Sequence, residues 1–298
     1  MEPFDLEAYL KRIRYEGGRA ATMHTLRELH LRHVEAIPFE NLTPLFGHPV
    51  ALDLESLQCK MVQGRRGGYC FEQNLLFKAA LDTLGFHATP LGARVLWNMP
   101  SGVRSPKTHM LLHVDLDRHT YLADVGFGGV TLTCPLRFEI DVEQATPHEP
   151  FRLRETNDGS VVQEVKFGDS WAPLYQFDRA EYWQADYEMA NWYLSTHPAS
   201  RFVTGLLAAR AESDRRYALR DDRFTIHYRD GRTERRLLSS AADMKTVLDQ
   251  DFRITLPEEK DIDRILAGLI GTSERNRRKG IDSLAGDEIC ADSSLCVD

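Results

Sequence analysis

Residues 64–77 read GRRGGYCFEQNLLF, a glycine-rich turn followed directly by an apolar segment with helical spacing. The pattern predicts a helix that begins at Cys70 and ends near Leu84, with Gly85 just after it. Backbone N–H groups at a helix start lack partners within the helix and carry the positive end of its dipole, so they favour thiolate over thiol. Cys70 is therefore a candidate nucleophile, although a lone cysteine is more often a small buried core residue.

Three more amphipathic helices are predicted upstream of this segment. Apolar residues recur with helical spacing at about residues 5–13, 22–37 and 53–64. Asp5 and Asp53 are placed to begin the first and the third of these helices. Pro38 ends the second, because the residue before a proline is disfavoured in the α region. The N-terminal part of the chain is thus predicted to be helical.

From about residue 88 the pattern changes to β-branched, aromatic and leucine runs separated by turn residues, which is typical of strands. The candidate strands are residues 93–97, 109–116, 121–127, 151–155, 161–167, 224–228 and 234–238. The last four form two hairpins around turns that end in Gly159 and Gly231. Helices near residues 181–194 and 241–248 interrupt the strands. This order favours an α+β fold with an antiparallel sheet or small barrel over a doubly wound fold.

The composition is that of a globular protein and limits the classes of partner. The chain has 298 residues, of which 42% are hydrophobic and 28% charged, enough for a large core and two or three subdomains. Its net charge of -8 argues against nucleic acid or an anionic membrane surface as a partner. A local basic pocket for a phosphorylated cofactor is compatible with this charge.

The N-terminus and the cysteines indicate a cytoplasmic protein. The N-terminus lacks a basic region followed by an apolar one, and no stretch approaches the roughly 18 apolar residues of a membrane span. The five cysteines are odd in number, widely spaced and without the paired spacing of zinc ligands. We therefore expect reduced thiols, with Cys290 and Cys296 in the polar tail most open to oxidation.

Two histidines and one aspartate are candidates to activate a thiolate at Cys70. A base must accept the thiol proton, as histidine does near neutral pH, and a carboxylate usually holds the second ring nitrogen. His109 and His113 lie on one face of the predicted strand at residues 109–116, so periodicity cannot choose between them. Asp124 lies in the apolar stretch YLADVGF, where a buried carboxylate needs a partner.

Two other interpretations of these residues are open. Asp124 could be a structural residue whose carboxylate accepts hydrogen bonds from backbone N–H groups. His109 and His113 could instead bind a metal, but two histidines at this spacing converge when they are helical, and the segment looks extended. It also lacks the glutamate of a zincin motif and an evident third ligand, so no metal is expected.

Several separated motifs resemble those of the arylamine N-acetyltransferases, in the order that family has them. Residues 66–74 (RGGYCFEQN) resemble the active-site motif of that family. Residues 37–42 (IPFENL) resemble its N-terminal signature, and residues 124–128 (DVGFG) resemble its aspartate motif. Residues 191–198 and 200–202 are also similar. The resemblance covers roughly residues 1–280 and departs from the family pattern after them.

The resemblance implies a fold of three domains with a Cys-His-Asp core like that of cysteine proteases. A helical domain at residues 1–86 would carry the nucleophile, and a central antiparallel β-barrel at residues 87–200 would carry the histidine and the aspartate. Residues 201–280 would form an α/β lid. The acidic, serine-rich residues 281–298 are expected to be a flexible tail.

The resemblance also implies a ping-pong reaction with acetyl-CoA as the acyl donor. The acetyl group passes first to the cysteine and then to an arylamine, an arylhydroxylamine or a hydrazine. By position, Cys70 matches the nucleophile and Asp124 the aspartate. His109 matches the family's histidine because it lies 15 residues before Asp124, which leaves His113 as a neighbour. Backbone N–H groups at the start of the Cys70 helix are the expected oxyanion donors.

Six further residues are candidates for binding the substrates. Gly126, Gly128 and Gly129 would let the chain approach a bulky ligand such as the CoA arm, or would simply form a barrel turn. Phenylalanines are candidates for the walls around an aromatic amine, although most phenylalanines in apolar segments belong to a core. These wall residues are Phe39, Phe71 and Phe127.

Two other functions are consistent with the same residues. A papain-like or transglutaminase-like hydrolase, or an amide synthase acting on a larger acyl substrate, would use the same Cys-His-Asp chemistry. A binding protein without catalysis would keep the fold as a scaffold for aromatic ligands, with an unreactive Cys70. The sequence leaves the preferred acyl-CoA, the physiological amine and the oligomeric state undetermined.

Overall fold

The structure is a computed structural model that describes residues 4–272 except residues 101 and 103. The predicted flexible tail at residues 281–298, with Cys290 and Cys296, lies outside the described residues. None of the helices in the described part of the chain is both long and apolar enough to cross a membrane.

The N-terminal part is helical, as predicted. Its helices are α1 (Leu6–Arg12), α2 (Met23–Ala36), α3 (Leu42–Leu45), α4 (Leu54–Leu57) and α5 (Cys70–Thr83), and α4 continues into a π-helical segment at Gln58–Gln63. The side chains of Asp5, Thr22 and Asp53 each accept a hydrogen bond from an N–H of the first turn. Gly85 follows α5 with a φ of 81°, which is the left-handed conformation that glycine adopts at low cost.

A seven-stranded antiparallel sheet follows. Its strands are β2 (His87–Val95), β3 (Lys107–Leu116), β4 (His119–Ala123), β5 (Leu136–Arg137), β6 (Phe151–Glu155), β7 (Val161–Phe167) and β8 (Ser170–Glu181). They lie in the order β5-β4-β3-β2-β8-β7-β6. After β5, bridges from Ile140 to Leu153 and from Gln144 to Phe151 link the chain to β6 at the opposite edge. The sheet therefore comes close to closing into a barrel, around a core that includes Leu111.

The C-terminal part is an α/β unit that an N-terminal segment completes. Its elements are α6 (Gln184–Thr196), α7 (Arg201–Thr204), β9 (Leu207–Glu212), β10 (Arg215–Arg220), β11 (Arg223–Tyr228), β12 (Thr233–Leu237), α8 (Ala241–Gln250) and α9 (Ile262–Leu269). A short strand from the helical part, β1 (Phe39–Glu40), pairs with β9 at the edge of a five-stranded antiparallel sheet. Strand β1 thus belongs by sequence to the first predicted domain but forms part of the sheet of the third. The predicted domain boundaries therefore stay a proposal.

A buried hydrogen-bond chain holds the helices against the turn before Cys70. The Tyr9 hydroxyl donates to His33 Nδ1 at 2.9 Å, and His33 Nε2 donates to Gln73 Oε1 at 2.7 Å. The Gln73 amide in turn donates to the carbonyl oxygens of Pro38 at 2.7 Å and Gly68 at 3.2 Å. Burial lowers the pKa of His33 to about 4, in spite of its hydrogen bond to Gln73. The imidazole is therefore neutral in the folded protein at pH 5–7.

We predict that His33 makes the protein less stable in mild acid. The unfolded chain takes up a proton at His33 below about pH 6.5, whereas the folded chain does so only near pH 4, so stability is lost as the pH falls between these values. Relative to pH 7.5, the loss at pH 5 amounts to about 2 kcal/mol from this residue. Urea unfolding at both pH values measures it.

In His33→Gln this part of the acid destabilisation should disappear. The matched control is His24→Gln, which removes an exposed histidine from the same helix and should retain the pH dependence of the unmodified protein. Equal pH dependence in His33→Gln and the unmodified chain would contradict the prediction.

Candidate active site

Cys70 is the first residue of α5 and is 4% exposed. The turn before it requires glycine because the chain passes close to other backbone. A Cβ on Gly67 would lie 2.0 Å from the Pro38 carbonyl oxygen, and one on Gly68 would lie 2.7 Å from Glu72 Oε2. Glu72 Oε2 accepts the Tyr69 N–H at 3.0 Å, which satisfies a donor next to the helix start.

Buried ion pairs anchor the same turn. Lys60 Nζ lies 2.7 Å from Glu72 Oε1, and Arg66 lies 2.8 Å from Glu40 Oε1. Both carboxylates are fully or almost fully buried, so loss of either cation would leave an uncompensated charge in the core. Burial alone would raise the pKa of Glu40, but Arg66 and Lys60 outweigh it and lower that pKa.

Asp124 follows directly after β4 and is held by three donors. Its Oδ2 lies 2.7 Å from His109 Nε2, and its Oδ1 accepts from the Asn74 amide at 3.0 Å and the Gly126 N–H at 2.9 Å. The side chains of Asp124 and His109 are 0% and 3% exposed. Burial would raise the pKa of Asp124, but the charge and hydrogen bond of His109, with those of Asn74 and Gly126, lower it. The carboxylate is therefore ionised.

His109 lies between Asp124 and Cys70. Cys70 and His109 line the same cavity, and Cys70 is one of the neighbours that raise the pKa of the imidazole. Cys70 Sγ lies 3.5 Å from the carbonyl oxygen of Thr108, the residue before His109. Burial alone would lower the pKa of His109, but Asp124 and Cys70 raise it to about 10. The ring is thus held as an imidazolium at neutral pH, which is the charge that stabilises a thiolate beside it.

The structure separates the two histidines that periodicity left equivalent. His113 is half-buried, and its Nε2 lies 3.3 Å from the Asp115 carboxylate rather than near Asp124. Burial lowers the pKa of His113. His109 lines the cavity in front of Cys70, whereas His113 is absent from the described residues that line it. Within the described residues, no group of three or more His, Cys, Asp and Glu side chains could hold a metal ion.

Aromatic rings fix the plane of the His109 imidazole. The ring centroids of Phe127 and Tyr175 lie 5.1 Å and 4.8 Å from that of His109, the first edge-on and the second tilted. The Tyr175 hydroxyl donates to Gln163, which anchors this ring in turn. The ring is therefore packed on two sides as well as hydrogen-bonded.

A cavity of about 490 Å³ opens in front of Cys70, with walls that are mostly apolar. Phe39 and Phe127 lie on its wall, together with Phe202. Phe71, in contrast, is 1% exposed and packs against Tyr69 and Tyr187 in the core. Because a helix directs successive side chains to different sides, Phe71 points away from the cavity that its neighbour Cys70 faces.

The three predicted glycines of the cavity loop have different surroundings. A Cβ on Gly126 would lie 2.8 Å from Cys70 Cα and 2.9 Å from Asn74 Nδ2, so glycine is needed there for packing. Gly128 has a φ of 93°, which disfavours other residues. Gly129 has open space around its Cα, where nothing lies within 4 Å of a built Cβ. A contact with the CoA arm stays a prediction for all three.

Comparison with known proteins decides the family. The model of an N-acetyltransferase family matches residues 22–262. An arylamine N-acetyltransferase of Mycobacterium tuberculosis is 43% identical over 274 residues, which cover 88% of this chain and 96% of that protein. The chain belongs to the arylamine N-acetyltransferase family. An Escherichia coli arylamine N-acetyltransferase is 40% identical over 86% of this chain and 90% of its own length.

Solved structures of arylamine N-acetyltransferases share the fold. The Mycobacterium marinum enzyme in complex with CoA matches with a TM-score of 0.86 and 40% identity, over 89% of this chain and all of that one. The Salmonella typhimurium enzyme matches with a TM-score of 0.83 and 34% identity, over 91% and 99%. The family and the α+β fold class predicted from the sequence are therefore confirmed.

Sequence analysis did not single out three groups of site residues. The Asn74 amide donates to Asp124 and also to the carbonyl oxygens of Cys70 and Met110. In the sequence, the signal for this role is an amide side chain one helical turn after Cys70, on an apolar helix. Tyr175 lies on β8, a strand that was not predicted. Residues of the five-stranded sheet that line the cavity could not be found by local pattern; they include Ala208, Ala218, Arg220, Arg223 and His227.

We predict that Gly126→Ala slows catalysis by about 100-fold, because the added methyl group would push the Asp124 loop away from α5 and displace the carboxylate. Gly268→Ala is the control, since its Cβ also meets open space and it lies in α9, outside the cavity at Cys70, so it should retain activity. Acetyl transfer to an aromatic hydrazine, with circular dichroism to check folding, measures both. Similar rates in the two variants would contradict the packing role of Gly126.

Proposed function

We propose that this protein transfers an acetyl group from acetyl-CoA to arylamines, arylhydroxylamines or hydrazines through an acetyl-cysteine at Cys70. The observation that carries the proposal is that Cys70 and His109 line one mostly apolar cavity, and that the His109 imidazole is bound to Asp124 at 2.7 Å. In this proposal Cys70 is the nucleophile, His109 the acid and base, and Asp124 the group that orients the imidazole.

In the first half-reaction Cys70 attacks the thioester carbonyl as a thiolate. The proton of the thiol resides on His109, where the ionised Asp124 stabilises the imidazolium. A carbon–sulfur bond forms at Cys70, and the bond to the sulfur of CoA breaks. His109 then donates its proton to the departing sulfur, so that CoA leaves as a thiol and the imidazole is left neutral.

In the second half-reaction His109 acts as the base. Acetylation removes the negative charge of Cys70, which is one of the causes that raise the pKa of His109. The neutral imidazole then accepts a proton from the attacking amine as the carbon–nitrogen bond forms. When the bond to Cys70 breaks, the thiolate and the imidazolium are restored together.

The start of α5 offers donors for the oxyanion of each tetrahedral intermediate. Cys70 and Phe71 are the first two residues of the helix, so their N–H groups have no acceptor four residues earlier. They lie beside the sulfur that carries the acetyl group. We therefore keep the backbone N–H groups of the helix start as the proposed oxyanion donors.

The composition of the cavity wall supports two classes of ligand. Phe39, Phe127 and Phe202 provide flat apolar surface for an aromatic acceptor. Arg220 and Arg223, on the five-stranded sheet, line the same cavity and give it the positive charge that the phosphates of a CoA arm require. A cytoplasmic location is also proposed, on the support of the free thiols among the described cysteines, Cys59, Cys70 and Cys134.

We predict that acetyl-CoA alone releases one equivalent of free CoA per chain and leaves an acetyl group on the peptide that contains Cys70. Subsequent addition of an aromatic hydrazine should remove that group and form the acetylated product. A thiol titration and intact mass spectrometry measure the two steps. In Cys70→Ala both steps should be absent. Transfer by that variant, or hydrolysis of a peptide amide without CoA, would exclude the proposed chemistry.

We predict that His109→Ala reduces the rate of Cys70 acetylation by orders of magnitude, because no base remains beside the sulfur. His113→Ala is the matched control from the same strand and should affect mainly stability. Asp124→Asn should also cost orders of magnitude in rate, since it removes the charge that holds the imidazolium. Single-turnover acetylation measures all three, and equal losses in the two histidine variants would leave the assignment of the base without support.

A further inference from the structure

A second cavity, of about 100 Å³, lies apart from the one at Cys70 and shares no lining residue with it. It forms where the ends of α1 and α2, the turn before Cys70 and the segment after α8 meet. Six of the nine residues that line it are basic and one is acidic; they are Lys11, Arg12, Ile13, Arg14, Arg32, Glu35, Ala36, Arg65 and Arg253. This is a concentrated positive surface in a chain whose net charge is -8.

Three of the cations that line this basic cavity have no partner in the described part of the protein. Within the described residues, the side chains of Lys11, Arg14 and Arg65 have no hydrogen bond or ion pair. Arg32 Nε lies 3.8 Å from the Glu28 carboxylate, which is a long ion pair. Arg253 forms a closer ion pair with Glu212, at 2.6 Å. The basic cavity therefore contains guanidinium and ammonium groups that are free to bind an anion.

Arg12 forms the fixed part of the basic cavity. Its guanidinium donates to the carbonyl oxygens of Met61 at 2.9 Å and Ala36 at 2.6 Å, so its position is set by the helices. Burial, together with the positive charges of Arg65 and Arg14, lowers the pKa of Arg12 to about 10. The cations are thus close enough to repel one another.

Glu35, the acidic residue of the lining, does not offset this repulsion at Arg12. Burial raises the pKa of Glu35, and the cations that oppose this effect are Arg32 and Arg210. Glu35 is not among the charges that shift the pKa of Arg12, whereas Arg65 and Arg14 are. An anion between these three guanidiniums would relieve their repulsion.

The backbone also places arginine at positions where it is costly. Arg14, Arg65 and Arg253 have φ angles of 56°, 51° and 59°, in the left-handed region that glycine and asparagine adopt more easily. Among the described residues, eight that are not glycine have a positive φ; four of them are arginines, and three of these four line this one cavity. The cost is consistent with a requirement for the charged side chain itself.

We propose that the basic cavity is a binding site for a phosphate-type oxyanion, either free phosphate or the phosphate group of a small metabolite. Guanidinium groups bind such oxygens through paired, charge-assisted hydrogen bonds. The cavity exceeds several-fold the space that one water molecule needs, which leaves room for a tetrahedral ion. The bound ion links α1, α2, the turn before Cys70 and the segment after α8, and so stabilises the folded protein.

The test compares the full chain with Arg14→Asn/Arg65→Asn. Asparagine tolerates a positive φ, so the substitutions remove the charges without adding backbone strain. Inorganic phosphate and glycerol phosphate are each titrated by isothermal calorimetry and by thermal unfolding, against chloride at matched ionic strength. We expect saturable binding to the unmodified chain with a rise in Tm, and a Kd increased by about tenfold or more in the variant. Tighter binding of the ester would identify a metabolite as the source, and tighter binding of phosphate the free ion.

The matched control is Arg118→Asn/Arg229→Asn. It removes the same net charge from exposed positions outside the basic cavity, and Arg118 shares the positive φ. This control should bind phosphate like the unmodified chain. If the first variant does not fold, Lys11→Gln, at an exposed position of helical backbone, tests the same site. Equal phosphate binding in the site and control variants, or an equal rise in Tm with chloride, would overturn the proposal.

Discussion

The hydrogen-bonded charge pair between Asp124 and His109 is the interaction on which the site depends. A carboxylate that is fully buried costs several kcal/mol unless donors surround it, and here Asn74, Gly126 and His109 all bind it. These donors come from α5, from the loop after β4 and from β3. The charge therefore draws together the three segments that must meet if a thiol and an imidazole are to exchange a proton.

The position of Asp124 also depends on close packing at Gly126. The Asp124 loop reaches α5 only because Gly126 has no Cβ to meet the Cys70 backbone. Asn74 then closes the contact by binding Asp124 and the Cys70 carbonyl oxygen with one amide group. Packing and electrostatics are thus coupled, and the sulfur, the ring and the carboxylate are held by groups that do not themselves react.

Much of the fold was predictable because its signals are local. The caps at Asp5 and Asp53, the glycine after α5 and the turns at Gly159 and Gly231 act within a few residues of chain. Strand β8 was not predicted, since Pro173 and a break in the ladder opposite Gln163 and Glu164 interrupt its alternation. Strands β9 and β10 were also missed, because the turn between them, at residues 213 and 214, contains no glycine.

The sequence by itself determined that a cysteine begins an apolar helix after a glycine turn, that a carboxylate is buried near the end of a strand, and that the chain resembles a known family. Only the tertiary structure decided that His109 rather than His113 meets that carboxylate, and that Phe39 rather than Phe71 faces the cavity. Periodicity assigns a residue to a face of its own element, whereas its partner depends on which distant segment packs against that face. The cavity walls and the basic cavity arise in the same way, from segments that are remote in sequence and adjacent only after folding.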